Sequence, residues 1–348
     1  MKKNSVRTAA AILSVVAAAG LAGCRSSNSD SSGAASSTPT VRIMVGGIDK
    51  VIYLPAMLTQ QLGYFKDAGV DVKLLTEPSG ASAENVLLAG QVEGVVGFYD
   101  HSVTLQAQGK CVESVVQLAK VPGEAEVVST QAASKLTSAA DFKGHKLGVT
   151  SPGSSTDYLT QYLAKKNGTD TADYTTVQAG AGSTFIAALQ NGGIDAGMTT
   201  DPTIATAVDK GLGKVLIDMR TDEGTKAALG GLYPAASMYM DCGYVEKNAK
   251  TVQKVVDAFV RTLTWISTHD ASEIAAKMPK DYAGGDPALY EKSIKDSSPM
   301  FTTDGVMPEG GPETVLDVLG TFSDTVKSKR DDIDLSKTYT TKFAKAAG

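Results

Sequence analysis

The chain has 348 residues, of which 42% are apolar and 20% charged, and its formal charge is −5. That length and balance fit a soluble globular protein of two medium domains, and the acidity argues against a nucleic-acid or anionic-membrane partner.

The N-terminus carries Lys2, Lys3 and Arg7, an apolar run from Ala9 to Ala19, and then Leu21-Ala22-Gly23-Cys24. This is the order of a secretory leader: positive region, short apolar region, small-residue cleavage site. The apolar run is about a dozen residues, short of the roughly 20 that span a bilayer, so the processed chain is expected to have no transmembrane helix. The tetrad resembles the lipobox of bacterial lipoproteins, which implies cleavage before Cys24 and a lipid anchor on its sulfur. Residues 1–23 are thus expected to be a lipoprotein signal peptide. Residues 24–40, rich in Ser with almost no apolar side chain, read as a flexible tether. Loss of the three leader cations takes the formal charge to −8. Two or three acyl chains hold more firmly than the single chain that gives reversible binding. The expected location is the cell membrane, lipid-anchored on the extracytoplasmic face.

After the tether, short β-branched runs alternate with helical periodicity. Val41 to Val45 reads as a strand, and Leu54, Met57, Leu58, Leu62 and Phe65 recur at helical spacing. Val70, Val72 and Leu74 predict a second strand, Ser82 to Leu88 a helix, Gly94 to Phe98 a buried strand, Val103 to Gln108 a helix and Val112 to Leu118 a strand. The alternation restarts with strands at 146–150, 174–177 and 196–198 and helices at 156–165 and 185–190. Ala236 to Met240 is one more extended run, and an amphipathic helix from Val252 to Trp265 follows. Such alternation calls for parallel strands with helices on both faces. The expected organisation is lobe 1 from 41–125 plus 235–348, and lobe 2 from 126–234.

Three blocks go beyond generic alternation: Leu54-Pro55 with Leu62-Gly63-Tyr64-Phe65-Lys66-Asp67-Ala68-Gly69, then Leu87-Leu88-Ala89-Gly90-Gln91, then Asp141-Phe142-Lys143-Gly144 through Ser151-Pro152-Gly153-Ser154-Ser155-Thr156 to Asn191-Gly192-Gly193-Ile194-Asp195. In order and spacing they resemble the solute-binding proteins of ABC importers in the sulfonate, nitrate and taurine group, which share a domain with eukaryotic thiamine-pyrimidine synthases. The resemblance covers residues 41–245. It implies a periplasmic-binding-protein-like type II α/β fold, two α/β lobes with a ligand cleft between them. It also implies a small-molecule ligand, an ABC permease partner and a monomeric chain.

In open α/β sheets ligands bind beyond the carboxyl ends of strands, where helix N-termini offer free N–H groups and partial positive charge. The loops after the predicted strands therefore supply the candidate ligand-binding residues: Tyr53, Ser79, Ser82, Tyr99, His101, Ser151, Gly153, Ser154, Ser155, Thr156, Thr200 and Asp201. Ser154 and Ser155 serve equally well as plain helix caps, and His101 equally well as a water-facing residue at a helix start. Asp49, Asp100 and Asp201 would repel an anion. The arginines after the tether, Arg42, Arg220, Arg261 and Arg330, lie outside these loops, so the ligand's charge stays open. Cys111 opens one extended run and Cys242 closes another; antiparallel pairing of the runs would permit a disulfide, and two free thiols are the alternative.

Gly180-Ala181-Gly182 is followed by Phe185 where a dinucleotide fingerprint needs its third glycine, and His101, His145 and His269 are scattered. No cofactor, no metal site and no catalytic residues are expected. The chain reads as a non-enzyme, the extracytoplasmic solute-binding component of an ABC importer. The alternatives are a ligand-dependent sensor docking on a membrane receptor, or a thiamine-pyrimidine-related enzyme.

Overall fold

A computed structural model describes residues 38–347. The leader, Cys24 and the tether up to residue 37 lie outside the described residues. Ten strands occur in chain order: β1 (Thr40–Val45), β2 (Asp71–Thr76), β3 (Gly94–Phe98), β4 (Val112–Gln117), β5 (Glu124–Ser129), β6 (Lys146–Val149), β7 (Thr175–Gln178), β8 (Ala196–Thr200), β9 (Gly213–Asp218) and β10 (Ala236–Asp241). They form two five-stranded sheets, ordered β2-β1-β3-β10-β4 and β7-β6-β8-β5-β9. In each sheet four strands share one direction, while the fifth, β10 or β5, pairs antiparallel with both neighbours.

Each antiparallel strand is the one that enters its sheet immediately after the chain has crossed between lobes. The first crossing runs from Leu118 to Gly123 and the second from Met219 to Ala235. The two segments hold each other by backbone bonds, Ala235 N–H to Ala119 O at 2.9 Å and Gly123 N–H to Met219 O at 3.1 Å. The Gln117 amide adds bonds to the carbonyls of Ala119, Ala235 and Ala236. Two adjacent connections of this kind concentrate any rotation of the lobes into a few residues.

Several elements differ from the sequence reading. The helix expected from Leu54 to Phe65 is two pieces, Leu54–Gln61 and Tyr64–Asp67, because Gly63 takes a left-handed conformation (φ 77°) between them. The second sheet already includes Glu124 and Ala125, two residues ahead of the expected boundary; β5 is buried along its whole length although it carries two glutamates, which is why its pattern hides it. The C-terminal chain does not stay on lobe 1. Helix Pro287–Ser297 packs on Thr203–Asp209 of the second lobe, and Gly311–Phe322 packs on both Asp100–Ala107 and Ser155–Lys166. Their apolar faces, with Val315, Leu316 and Leu319 fully or nearly buried, are covered only by reaching both lobes.

The helix Ala249–Thr268 buries Val252, Val255, Val256, Phe259, Leu263 and Ile266 at three- and four-residue spacing. Phe259 meets Phe65 edge-on at 5.4 Å between ring centroids. β10 and β4 pair antiparallel, and Cys111 and Cys242 at the end of that pair are joined by a disulfide with Cα atoms 5.5 Å apart.

Candidate functional site

The carboxyl ends of β1, β3, β6 and β8 face one another across the gap between the sheets. A central cavity of about 20 Å³ lies there, room for a single water. Lobe 1 lines it with Lys50, Ile52, Tyr53, Gly80 and Phe98, and lobe 2 with Glu124, Thr150, Ser154, Ser155, Thr156 and Thr200. An outer cavity of about 520 Å³ opens beyond it between Thr76–Ser79 on one side and Gln178, Gly180, Ala181 and Thr184 on the other. Lys50 and Thr150 line both and form the partition.

The lobes touch through named bonds. Asp100, fully buried at the start of helix Asp100–Ala107, accepts Ser155 Oγ from lobe 2 at 2.9 Å and the Tyr233 hydroxyl from the second crossing at 2.8 Å. Val51 N–H donates across the cleft to Asp201 O at 2.9 Å. Burial pushes the Asp100 pKa up, opposed by His101, Tyr233 and Ser155. A ligand larger than water reaches the central wall only when these contacts part.

The loop before helix Ser155–Lys166 is ordered by its own hydroxyls. Ser154 Oγ donates to Ser151 O at 2.6 Å and lies 2.7 Å from Thr156 Oγ1, which accepts Thr150 N–H at 2.9 Å. With its one proton spent on Ser151 O, Ser154 Oγ accepts from Thr156. Gly153 stands at φ 78° with its N–H on Asp157 Oδ2 and its α-carbon facing Ala81 of lobe 1. The helix start has no side-chain cap among the described residues, and its first residues, Ser155 and Thr156, line the cavity.

Of the sequence candidates, Tyr53, Ser154, Ser155, Thr156 and Thr200 line the central cavity, and Ser79 lines the outer one. Ser79 also caps helix Gly80–Leu88, accepting Ser82 N–H at 3.2 Å, and donates to Ser82 Oγ; Ser82 itself lies on neither wall. Ser151 sits one step back, with its backbone serving Ser154. Tyr99 points away: Phe98 takes the cavity side of the chain, and the Tyr99 hydroxyl reaches Thr338 Oγ1 at 2.5 Å beside the ring of Tyr339.

His101 is sealed behind the wall. Its Nδ1 meets Glu84 Oε2 at 2.6 Å, and a β-carbon on Gly80 would fall 2.8 Å from its Nε2, so glycine at 80 is what lets the ring stand there. Burial alone depresses its pKa, but Glu84 and Asp100 outweigh burial and hold it above the usual histidine value. Asp201 is committed elsewhere: its Oδ2 takes Arg220 Nη1 at 2.9 Å and Ser297 Oγ at 2.8 Å, and its Oδ1 takes Ala205 N–H. Arg220 in turn grips both oxygens of Asp218. This network ties β8, the second crossing and the C-terminal helix together.

Lys50, Phe98, Asp100, Glu124 and Thr150 are among the wall and bridge residues absent from the sequence candidates. Lys50 Nζ donates to Gly46 O at 2.7 Å and Pro78 O at 3.1 Å, and burial lowers its pKa to about 8 against the opposing fields of Asp49 and Glu124. Glu124 is raised well above the carboxylate range by burial and by the charge of Asp100, with Lys50 opposing. Lys50 adjoins Asp49, already named among the acids of the strand-to-helix loops, and was a findable neighbour, whereas Glu124 sits on a strand with no visible pattern.

Two α/β lobes, two adjacent crossings and a cleft walled by both lobes are the architecture of periplasmic binding proteins. Residues 52–272 match the family described as NMT1/THI5 like. The chain belongs to this NMT1/THI5-like family. A solved structure of a protein from Bordetella bronchiseptica RB50 superposes with a TM-score of 0.83 at 34% identity, covering 88% of this chain and 96% of that one. The periplasmic nitrate-binding protein NrtA of Synechocystis PCC 6803 shares the fold at a TM-score of 0.68 and 13% identity, over 89% and 88% of the two chains. The 4-amino-5-hydroxymethyl-2-methylpyrimidine phosphate synthase THI13 of Saccharomyces cerevisiae is 23% identical over 273 residues, 77% of this chain and 74% of that protein.

Proposed function

We propose that the chain is the extracytoplasmic solute-binding component of an ABC importer, a monomer that captures a small molecule between its lobes and delivers it to a membrane permease. The observation that carries this reading is the cleft itself: one cavity walled by both lobes and bridged by Asp100 to Ser155 and Tyr233. A ligand that contacts both walls favours the closed form, and a permease that reads that form takes up only loaded protein. The solute belongs among sulfonates, nitrate, taurine and related small organic molecules, in keeping with the sequence blocks and with the nitrate-binding protein that shares the fold. Ligand residues are drawn from Tyr53, Ser154, Ser155, Thr156 and Thr200 on the central wall, and Ser79 at the mouth. Cys24, by its lipobox, anchors the protein to the extracytoplasmic face, which keeps each cleft near its permease and raises local concentration. Among the described residues no helix is long and apolar enough to cross a membrane.

Small-angle scattering with and without a compound that raises the melting temperature tests the reading. Compaction on binding is expected; a bound ligand that leaves the scattering curve unchanged contradicts the hinge. The similarity to THI13 favours a second reading, a pyrimidine-forming enzyme. Mass spectrometry of the ligand after release separates the two, since a binding protein returns it unchanged.

A further inference from the structure

Glu124 is an unusual residue for its position. It opens β5, is 2% exposed, and its Oε2 has no hydrogen-bond partner among the described residues. A buried carboxylate oxygen left unpaired is costly, and folded chains retain one where it serves a purpose. Its cross-strand neighbour on β8 is Thr200, whose Oγ1 is also buried without a partner, and both residues line the central cavity.

The charges around this pair do not neutralise it. Lys50 is a cation on the facing wall, but its ammonium is turned onto the carbonyls of Gly46 and Pro78. Asp100 stands near with its own negative charge, its oxygens already taken by Ser155 and Tyr233. What faces the cavity is therefore a carboxyl with an oxygen free to accept, whose ionised form burial disfavours until a cation meets it, beside the rings of Tyr53 and Phe98. Such a corner suits an N–H donor attached to a compact, partly apolar body.

We propose that Glu124 is a specificity-determining residue and that the ligand carries a basic nitrogen, an ammonium, amidinium or amino-heteroaromatic group, whose N–H bonds the Glu124 carboxylate with Thr200 beside it. The proposal rests on the solute-binding reading and sharpens it: simple anions such as nitrate or an alkanesulfonate without an amine are poor ligands. The uncapped start of helix Ser155–Lys166, on the same lobe as Glu124, offers a place for an acidic group elsewhere on the same molecule.

Glu126, two residues on along the same strand, supplies the control. It too is buried, with neither carboxylate oxygen partnered among the described residues, yet it lies off the cavity wall. The test is a thermal-shift and calorimetric comparison of matched probes: taurine against ethanesulfonate, benzylamine against phenylacetate, 4-aminopyridine against benzoate, with nitrate alone. The basic member of at least one pair is expected to raise the melting temperature by about 3 °C or more at saturation while its nitrogen-free partner does not. Glu124→Gln is expected to weaken that compound about thirtyfold or more, and Glu126→Gln to leave its affinity within about twofold. An anion that outperforms its amine counterpart, or undiminished binding by Glu124→Gln, overturns the proposal and leaves the solute-binding reading standing. A flat response to every probe of either kind overturns both.

Discussion

The two sheets are built to one plan and finished differently. β10 in the first sheet and β5 in the second are equivalent: each enters after a crossing, pairs antiparallel with the third parallel strand, and shifts register near its middle against the edge strand. β10 reads Ala-Ser-Met-Tyr-Met-Asp and packs as core, whereas β5 reads Glu-Ala-Glu-Val-Val-Ser and carries two buried acids. The strands before the cleft repeat the contrast. β3 leads to Asp100, which reaches across to the other lobe, while β8 leads to Asp201, which is locked into its own side by Arg220 and Ser297. The shared plan supplies two rigid walls, and the differences decide which wall is stapled, which holds unspent charge and which carboxylate bridges.

The staple gives the largest expected effect. The disulfide closes a loop of 131 residues in the chain and ties the β10–β4 edge, for which the β5–β9 edge of the second sheet has no counterpart among the described residues. Changing Cys111 and Cys242 to Ser is expected to cost about 3 to 4 kcal/mol by urea unfolding. A loss under about 1 kcal/mol would mean that the two edges are equally stable without it.

The unspent charge gives the next. Burial raises the Glu126 pKa to about 8, against roughly 4.3 in an unfolded chain. Its contribution to stability is then fully present below about pH 4.3 and is lost as pH rises toward 8, because the unfolded state ionises first. Glu126→Met is expected to be the more stable protein at pH 8 by on the order of 2 to 3 kcal/mol, the gain shrinking toward pH 4. Melting curves across that range check it, and a pH-independent difference would show that Glu126 has a partner.

How much of this was legible in the sequence follows the same divide. The parallel strands announced themselves, since β1, β3 and β6 are short apolar runs between turn residues. β5 did not, because glutamates at 124 and 126 break the pattern that marks a buried strand, and with them went the residues most distinctive of the cleft. The Ser151–Asp157 loop was readable from its hydroxyls and glycine at a helix start. The direction of each side chain was not: Phe98, Tyr99, Asp100 and His101 are consecutive, and only packing decides that Phe98 meets the cavity, Tyr99 meets Thr338 and His101 hides behind Gly80.

The bridge gives the smallest effect of the three. Asp100→Asn removes one acceptor from the Ser155 and Tyr233 pair and is expected to raise the open population about tenfold with little loss of unfolding stability. Asp201→Ala is expected to do the reverse, lowering stability by about 2 kcal/mol through the exposed need of Arg220 while leaving closure unchanged. Scattering and urea unfolding on the same two variants separate these outcomes, and identical behaviour would erase the distinction between the two aspartates.

Closure of the cleft around a ligand is what makes the protein a solute carrier. Spin labels at Glu77 and Thr184, which face each other across the outer cavity, report the gap directly by pulsed electron resonance in a chain with Cys24 changed to Ser. Two distance populations are predicted without ligand, collapsing to the shorter one when a compound that raises the melting temperature is added. A single distance that ligand binding does not move would contradict it.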